Sequence, residues 1–198
     1  MINTEVNPGF MNKGFDKVCQ FRITLKGTAP PVWRRIQVPG NYTFWDLHVA
    51  IQDAMGWSDY HLHRFDFLHP PLRLRLSIGL PDETDARLEI RVLPDWEQRI
   101  LDHFSPGNDT MNYTYDFGDD WEHSVKLEKV LPREKGVDYP RLIKGKGACP
   151  PEDCGGVWSF EQQCREGSID RDDFDVEEMI FTDPRKRLKA MLAAREGA

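Results

Sequence analysis

Residues 113–129 read YTYDFGDDWEHSVKLEK, and large side chains occupy every second position on both sides of Gly118. The alternating positions are Tyr113, Tyr115 and Phe117 before the glycine, and Trp121, His123, Val125 and Leu127 after it. A period of two is the side-chain period of a β-strand, and Gly-Asp-Asp is typical of a tight turn. The stretch therefore predicts a β-hairpin whose two strands pair antiparallel.

Two further strands are predicted nearer the N-terminus. Alternation begins near Lys17, with Cys19, Phe21, Ile23 and Leu25 at every second position. A second strand is predicted from Val32 to Val38, where Arg34 shares a face with apolar residues and Trp33 lies on the opposite face. Either face of this strand is compatible with the core, because each carries both an arginine and a large apolar group.

One helix is predicted early in the chain. Thr43 has the position of an N-cap with Asp46 three residues later, and Gly56 ends the pattern. Between them, apolar residues recur at helical spacing, namely Phe44, Leu47, Ile51, Ala54 and Met55. Together with the strands, this predicts an α+β fold, a mainly antiparallel sheet with one early helix packed on it and helices at the C-terminus.

The C-terminal part carries two helix signals and one long connection. Ser159 predicts the start of a short helix, and Asp183 followed by Pro184 predicts the start of the last one. Residues 132–157 are rich in Pro and Gly and are expected to form a long functional loop. We expect residues 1–16 to be a loose leader and residues 17–198 to form a single domain.

Composition restricts the classes of function. The 198 residues are 39% hydrophobic and 30% charged, and the formal net charge is -7. Such a charge repels polyanions on average, so we expect no nucleic-acid partner. The first residues, MINTEVNPGF, resemble no signal peptide, and no apolar run reaches membrane-span length. We therefore expect a cytoplasmic protein whose four cysteines are free thiols or metal ligands.

Familiar catalytic motifs are absent from the sequence, including the Walker loop, the Rossmann glycine pattern, the G-x-S-x-G elbow and the H-E-x-x-H helix. The hairpin turn is the densest polar and aromatic cluster, with Asp119, Asp120, Trp121 and His123. Carboxylates beside a histidine can bind a metal or orient an imidazole for proton transfer. They can equally shape the turn itself, because Asp hydrogen-bonds its neighbouring backbone.

Two other patterns suggest metal ligands. His61 and His63 are two residues apart, so on a strand their rings would share one side and one metal, or would pack as a buried pair. Cys149 and Cys154, with Cys164 and a histidine such as His123, could complete a zinc site. Free cysteine is also a common small buried residue, so zinc or another divalent metal is an alternative and our expectation is no cofactor.

The loop CPPEDCGG is expected to meet the hairpin turn, because both lie on connections carried by the sheet. In that case one concave surface would contain Asp119, Asp120, Trp121, His123, Glu152 and Asp153, with His61 and His63 beside them and Arg34 as the cationic counterpart. The alternative is that the loop covers the sheet edge, and that its acids accept hydrogen bonds from backbone N–H groups and pair with Arg34 for stability.

Four blocks of the sequence carry a resemblance to a known family. They are PPVWRRIQVP (30–39), LHVAIQDAMGW followed by HLHRFDF (47–67), YTYDFGDDWEHSVKLEK (113–129) and GKGACPPEDCGG (145–156). In this order they resemble the plasmid pRiA4b ORF-3-like proteins of bacteria and archaea, which occur on chromosomes and mobile elements. The resemblance implies no agreed enzymatic activity. Some members carry a resolvase-like label, but this chain has no catalytic serine context or basic tail to match it.

Three functions remain open from the sequence. The first is a cytoplasmic, non-enzymatic binding or accessory module with an unidentified ligand or protein partner. The second is a metal-assisted hydrolase that uses Asp119, His123, Glu152 and Asp153. The third is DNA association through a basic patch of residues 133–146, which acidic residues interrupt.

Overall fold

The computed structural model describes residues 14–69, 74–81, 91–176 and 179–196. Of the leader predicted for residues 1–16, residues 1–13 lie outside the described ranges. The first strand begins at Lys17, where the alternating pattern of the sequence also begins.

The described residues form eight strands and four helices. The strands are β1 Lys17–Leu25, β2 Trp33–Pro39, β3 His63–His69, β4 Leu74–Gly79, β5 Val92–Pro94, β6 Thr110–Tyr115, β7 Trp121–Pro132 and β8 Arg141–Lys146. The helices are α1 Phe44–Met55, α2 Ile100–His103, α3 Gly156–Glu166 and α4 Pro184–Glu196.

All eight described strands belong to one sheet, in the order β5-β4-β3-β6-β7-β1-β2-β8. Every neighbouring pair is antiparallel except β4 and β5, which run parallel. The hairpin of β6 and β7 places Tyr113 opposite His123 and Tyr115 opposite Trp121. The predicted α+β fold with a mainly antiparallel sheet is therefore confirmed.

Helix α1 begins and ends where the sequence predicts. The Thr43 hydroxyl accepts a hydrogen bond from the backbone N–H of Asp46, whose carboxylate accepts one from the backbone N–H of Thr43. Gly56 ends the helix with a φ of 89°, in the left-handed region that glycine adopts without steric cost. The Phe44 ring packs edge-on against Phe65 of β3 at 5.0 Å, which anchors the helix on the sheet.

The C-terminal helix α4 covers the other side of α1. The indole Nε1 of Trp45 donates to the carbonyl oxygen of Pro184 at 2.9 Å, and Arg187 lies 3.4 Å from the carboxylate of Asp53. Helix α1 is thus enclosed between the sheet and α4, and most of its side chains are buried. Polar residues of α1 consequently lie in the interior, where they need polar partners.

Strand β2 turns Arg34 inward and Trp33 outward. Arg34 is 1% exposed, and its Nε donates to the carbonyl oxygen of Ala54 at 2.9 Å, at the C-terminal end of α1. Its Nη1 donates to the carbonyl oxygens of Trp33 and Lys146, and its guanidinium lies 3.7 Å from the ring centre of Phe174. Arg34 therefore caps a helix C-terminus, where the dipole favours a cation.

Two local predictions for the C-terminal half are wrong. The connection 132–157 contains β8, which pairs with β2 and extends the sheet. Helix α3 begins at Gly156, three residues before the predicted start at Ser159. The start of α3 is stabilised by a hydrogen bond from the backbone N–H of Gly155 to Asp119 of the hairpin turn. The sequence around Ser159 carries no signal of this contact, because the two residues that form it are far apart in the chain.

Candidate functional site

The hairpin turn is built by its aspartates. Asp116 and Asp120 both have a φ of 55°, in the left-handed region that Asp tolerates better than most residues. The Oδ1 of Asp116 accepts a hydrogen bond from the backbone N–H of Gly118 at 2.9 Å. This is the local turn bond typical of Asp, and it leaves Oδ2 of Asp116 for another partner.

The turn meets the CPPEDCGG loop as expected. The Oδ2 of Asp119 accepts a hydrogen bond from the backbone N–H of Gly155 at 2.9 Å. A Cβ on Gly156 would lie 2.8 Å from the carbonyl oxygen of Asp119, so the two backbones approach as closely as a glycine permits. Asp119 thereby connects the turn to the start of α3 through a hydrogen bond and a close backbone contact.

Glu152 ties the same loop to the connection between α1 and β3. Its Oε1 accepts from the backbone N–H of Ser58 at 2.8 Å and from the hydroxyl of Tyr115 at 3.1 Å. The Tyr115 oxygen accepts in turn from the backbone N–H of Tyr60. Burial, and then the charge of Glu152, raise the pKa of Tyr115, so its hydroxyl stays protonated and remains a donor.

A group of three side chains, the surface cluster of His61, Asp116 and Asp153, lies where these segments meet. His61 Nε2 is 3.1 Å from Oδ1 of Asp153 and 3.7 Å from Oδ2 of Asp116. One ligand-type atom from each of the three lies within 4.8 Å of the others. Among the described residues, no hydrogen-bond partner satisfies His61 Nε2, although that atom is buried. Asp153 is open to solvent, with its side chain 70% exposed.

A second polar group, the buried centre of His48, Asp59, His63 and Asp95, lies between α1 and the sheet. His48 Nε2 is 2.8 Å from Oδ1 of Asp59, and His63 Nε2 is 2.7 Å from Oδ2 of Asp95. The two imidazoles stack face to face, with centroids 3.4 Å apart and planes 7° from parallel. Burial, and then the neighbouring His63, lower the pKa of His48 to about 4, so His48 is neutral at pH 7.

Comparison with known proteins identifies the family. The profile described as plasmid pRiA4b ORF-3-like protein matches residues 17–183. The chain belongs to this family. It is 37% identical to the uncharacterized protein y4hQ of Sinorhizobium fredii over 150 residues. This alignment covers 74% of this chain and 71% of y4hQ. The crystal structure of MM3350, a protein of unknown function from Methanosarcina mazei Go1, matches with a TM-score of 0.76 and 39% identity, over 85% of this chain and all of MM3350.

These relatives of the plasmid pRiA4b ORF-3-like family are themselves described without a function. The comparisons therefore show the family and the fold, and a proposal about activity must come from the geometry. The described residues contain no helix that is long and apolar enough to cross a membrane.

The structure separates the two histidines that the sequence placed together. His63 is the first residue of β3 and reaches the buried centre, whereas His61 precedes the strand and belongs to the surface cluster. His61 lies before the first residue of β3, so the alternation of side-chain direction along the strand does not apply to it. The rings of His61 and His63 therefore need not lie on the same face of the sheet. The prediction that one metal could bridge them is wrong.

Several other predicted residues lie apart from the surface cluster. The side chains of Trp121 and His123 on β7 are fully buried, and Arg34 is enclosed by carbonyl groups and Phe174. The single concave surface expected for all of these residues is therefore not formed, and the acids of the loop do not pair with Arg34. Asp120 is exposed at the turn.

The predicted cysteine ligands also lie elsewhere. Cys149, Cys154 and Cys164 are free thiols, as is Cys19. In the part of the chain that the structure describes, the two groups with metal-ligand spacing contain neither a cysteine nor His123. Burial raises the pKa of Cys154 to about 11, which disfavours its thiolate, the form that binds metal.

Sequence reasoning missed Asp116 and three residues of the buried centre, His48, Asp59 and Asp95. Asp116 precedes the predicted turn and lies within the alternation that predicts a strand, so the sequence does not mark it as a ligand. His48 lies one turn after Phe44 on the buried stripe of α1, a position that could have marked it as an interior histidine. Asp59 and Asp95 lie on irregular segments, where side-chain direction has no period to reveal it.

We expect Gly156→Ala to lower the melting temperature more than Gly167→Ala does. Both glycines have positive φ, 76° and 78°, so each alanine carries a similar backbone strain, roughly 1 kcal/mol. Only the Cβ at Gly156 would collide with the carbonyl oxygen of Asp119, whereas Gly167 has open space within 4 Å. Thermal unfolding of the two variants measures the difference. Equal decreases in melting temperature would mean that the close contact between Gly156 and Asp119 contributes little to stability.

Proposed function

We propose that the protein is a cytoplasmic binding module that holds a divalent transition-metal ion at the surface cluster. The observation that carries this proposal is the buried Nε2 of His61, which faces two carboxylates and has no hydrogen-bond partner among the described residues. A nitrogen lone pair in that position is suited to a metal.

The distances within the cluster fit a shared ion. Ligand atoms bound to one zinc ion at about 2.0–2.2 Å lie roughly 3–4 Å from each other. The separations from His61 Nε2 to the two carboxylates, 3.1 and 3.7 Å, fall in this range. One imidazole and two carboxylates suit Zn²⁺ or Mn²⁺ better than Mg²⁺ or Ca²⁺, which prefer oxygen ligands alone.

The three ligands come from three different segments. His61 lies on the connection between α1 and β3, Asp116 on the hairpin turn and Asp153 on the CPPEDCGG loop. Asp116 is already oriented, because its Oδ1 is bound to the backbone N–H of Gly118 and its Oδ2 lies toward His61. An ion at this position would join the three segments and stabilise the folded state.

A binding role is better supported than hydrolysis by the residues named from sequence. The carboxylates of Asp119 and Glu152 already accept hydrogen bonds from backbone N–H groups, and the His123 side chain on β7 is fully buried. None of these three groups is free to act as a general base on a surface substrate. The cytoplasm, a reducing compartment, is consistent with the four free cysteines.

The test is a calorimetric titration of the purified protein with Zn²⁺, Mn²⁺ and Mg²⁺. We expect Zn²⁺ and Mn²⁺ to bind, and His61→Ala and Asp153→Asn to weaken binding at this site roughly 100-fold or more, since each removes a direct ligand. Asp120→Asn is the matched control, because Asp120 lies on the same turn but outside the cluster.

Zinc should also raise the melting temperature of the wild type and of Asp120→Asn, and raise that of His61→Ala by less. Unchanged titrations for His61→Ala and Asp153→Asn would show that the surface cluster is not the binding site.

A further inference from the structure

The buried centre collects potential metal ligands from four segments. His48 lies on α1, Asp59 on the connection after it, His63 on β3 and Asp95 directly after β5. One ligand-type atom each from His48, Asp59 and His63 lies within 4.8 Å of the others. Residues 48–63 thus place two imidazoles and a carboxylate together, and Asp95, 32 residues further along the chain, adds a second carboxylate 2.7 Å from His63.

The charges of the buried centre are poorly balanced by protein groups. Asp95 is fully buried, and the side chain of Asp59 is only 16% exposed. Within the described ranges, the permanently charged basic side chain near these aspartates is Arg187, which lies 4.0 Å from Asp59 and nearer, at 3.4 Å, to Asp53. Buried carboxylates are normally paired with cations or bound to metals, so an additional positive charge suits this location.

Two atoms of the buried centre have no hydrogen-bond partner in the described part of the protein. They are Nδ1 of His63 and Oδ1 of Asp95, and both residues are buried. Native proteins seldom leave such groups unsatisfied without a functional reason. Asp95 contacts one ring nitrogen of His63, so the other nitrogen keeps a free lone pair when the ring is neutral.

This arrangement is the one that orients histidine ligands in metalloproteins. A histidine that binds a metal through one ring nitrogen usually donates a hydrogen bond from its other ring N–H to a carboxylate or another polar group. This hydrogen bond fixes the orientation of the ring and its tautomer. Asp95 has this relation to His63. His48 has a comparable partner in the Tyr113 hydroxyl, 2.9 Å from its Nδ1, and that hydroxyl accepts from Nε2 of Gln52.

We infer that the buried centre is a second metal site, separate from the surface cluster, at which His48, Asp59 and His63 bind a transition-metal ion such as Zn²⁺ and Asp95 positions His63. Both histidines are buried and Asp59 is mostly buried, so the site is largely enclosed by the protein. Ligation by both imidazoles requires their stacked planes to rotate apart, so zinc should change the ring resonances of both histidines.

The test measures zinc by elemental analysis after saturation and gel filtration. We expect about two equivalents in the wild type, one in His61→Ala, one in His63→Gln and none in the double variant. His61→Ala isolates the buried centre. If the wild type and His61→Ala each retained one equivalent, the surface proposal would fail while this inference stood.

The full-length wild type provides a second measurement that does not depend on a core variant folding. Histidine side-chain nitrogen NMR should show a zinc-dependent shift of the His48 and His63 rings that persists in His61→Ala. Two equivalents of zinc in His63→Gln, one equivalent in the double variant, or rings of His48 and His63 that do not respond in zinc-saturated His61→Ala, would overturn the inference.

Discussion

Arg34→Ala is expected to lower the free energy of unfolding by about 4 kcal/mol, since hydrogen bonds to charged groups contribute roughly 1.5–3 kcal/mol each. Arg34 donates to the carbonyl oxygens of Ala54, Trp33 and Lys146, and the substitution would leave these buried acceptors without their cation. It would also remove the group that packs on Phe174. For a protein of this size, such a loss corresponds to a decrease in Tm on the order of 10 °C.

The neighbouring arginine provides the control for this substitution. Arg35 forms two hydrogen bonds with the carboxylate of Glu128 on the partly exposed face of the sheet. Exposed ion pairs contribute about 0–1 kcal/mol, so Arg35→Ala should have a small effect. Urea unfolding of both variants at pH 7.5 tests the contrast. Similar losses at the two positions would mean that the buried guanidinium does not anchor α1 on β2.

The stability of the protein is expected to fall as the pH decreases from 6.5 to 4, and His123 should account for about 3 kcal/mol of that loss. Burial lowers the pKa of His123 to about 4 in the folded state, from an ordinary value of 6.5. Between these two pH values the unfolded chain binds a proton that the folded protein excludes. The stabilising contribution of neutral His123 is therefore present above pH 6.5 and lost as the pH falls toward 4.

His123→Phe tests this pH dependence, because it retains a ring and removes the titrating group. We expect the curve of unfolding free energy against pH to become flatter for the variant by about 3 kcal/mol over the same range. His48, whose pKa is lowered in the same direction, should leave part of the slope in place. Curves for variant and wild type that run parallel from pH 7 to 4 would exclude His123 as a cause.

Local sequence patterns were sufficient for the hairpin and for helix α1, but not for β8 or for the start of α3. The alternation around Gly118 predicted the hairpin of β6 and β7, because side-chain direction in a strand depends only on the parity of the position. The Thr43 and Asp46 pair predicted the start of α1, because a capping box is formed within four residues. Contact between the turn and the CPPEDCGG loop was also anticipated, because both segments connect elements of one sheet.

The partners within the site depended on contacts between distant segments. The sequence allows Asp119 and Glu152 to serve a ligand or backbone N–H groups, and the structure shows that they accept from N–H groups 36 and 94 residues away. Asp116 falls within the predicted strand pattern, and the structure shows that it faces His61. Such pairings depend on which connections the sheet order brings together, and no local period records that order.

The sequence by itself determined the hairpin, the bounds of α1 and the mainly antiparallel character of the sheet, since each follows from interactions between residues close in the chain. Only the tertiary structure decided that Arg34 lies inside and Trp33 outside, that α4 encloses α1, and that His61 and His63 serve different groups. Each of these outcomes depends on burial against a segment far along the chain, because local patterns show which residues could be buried but not which segments bury them.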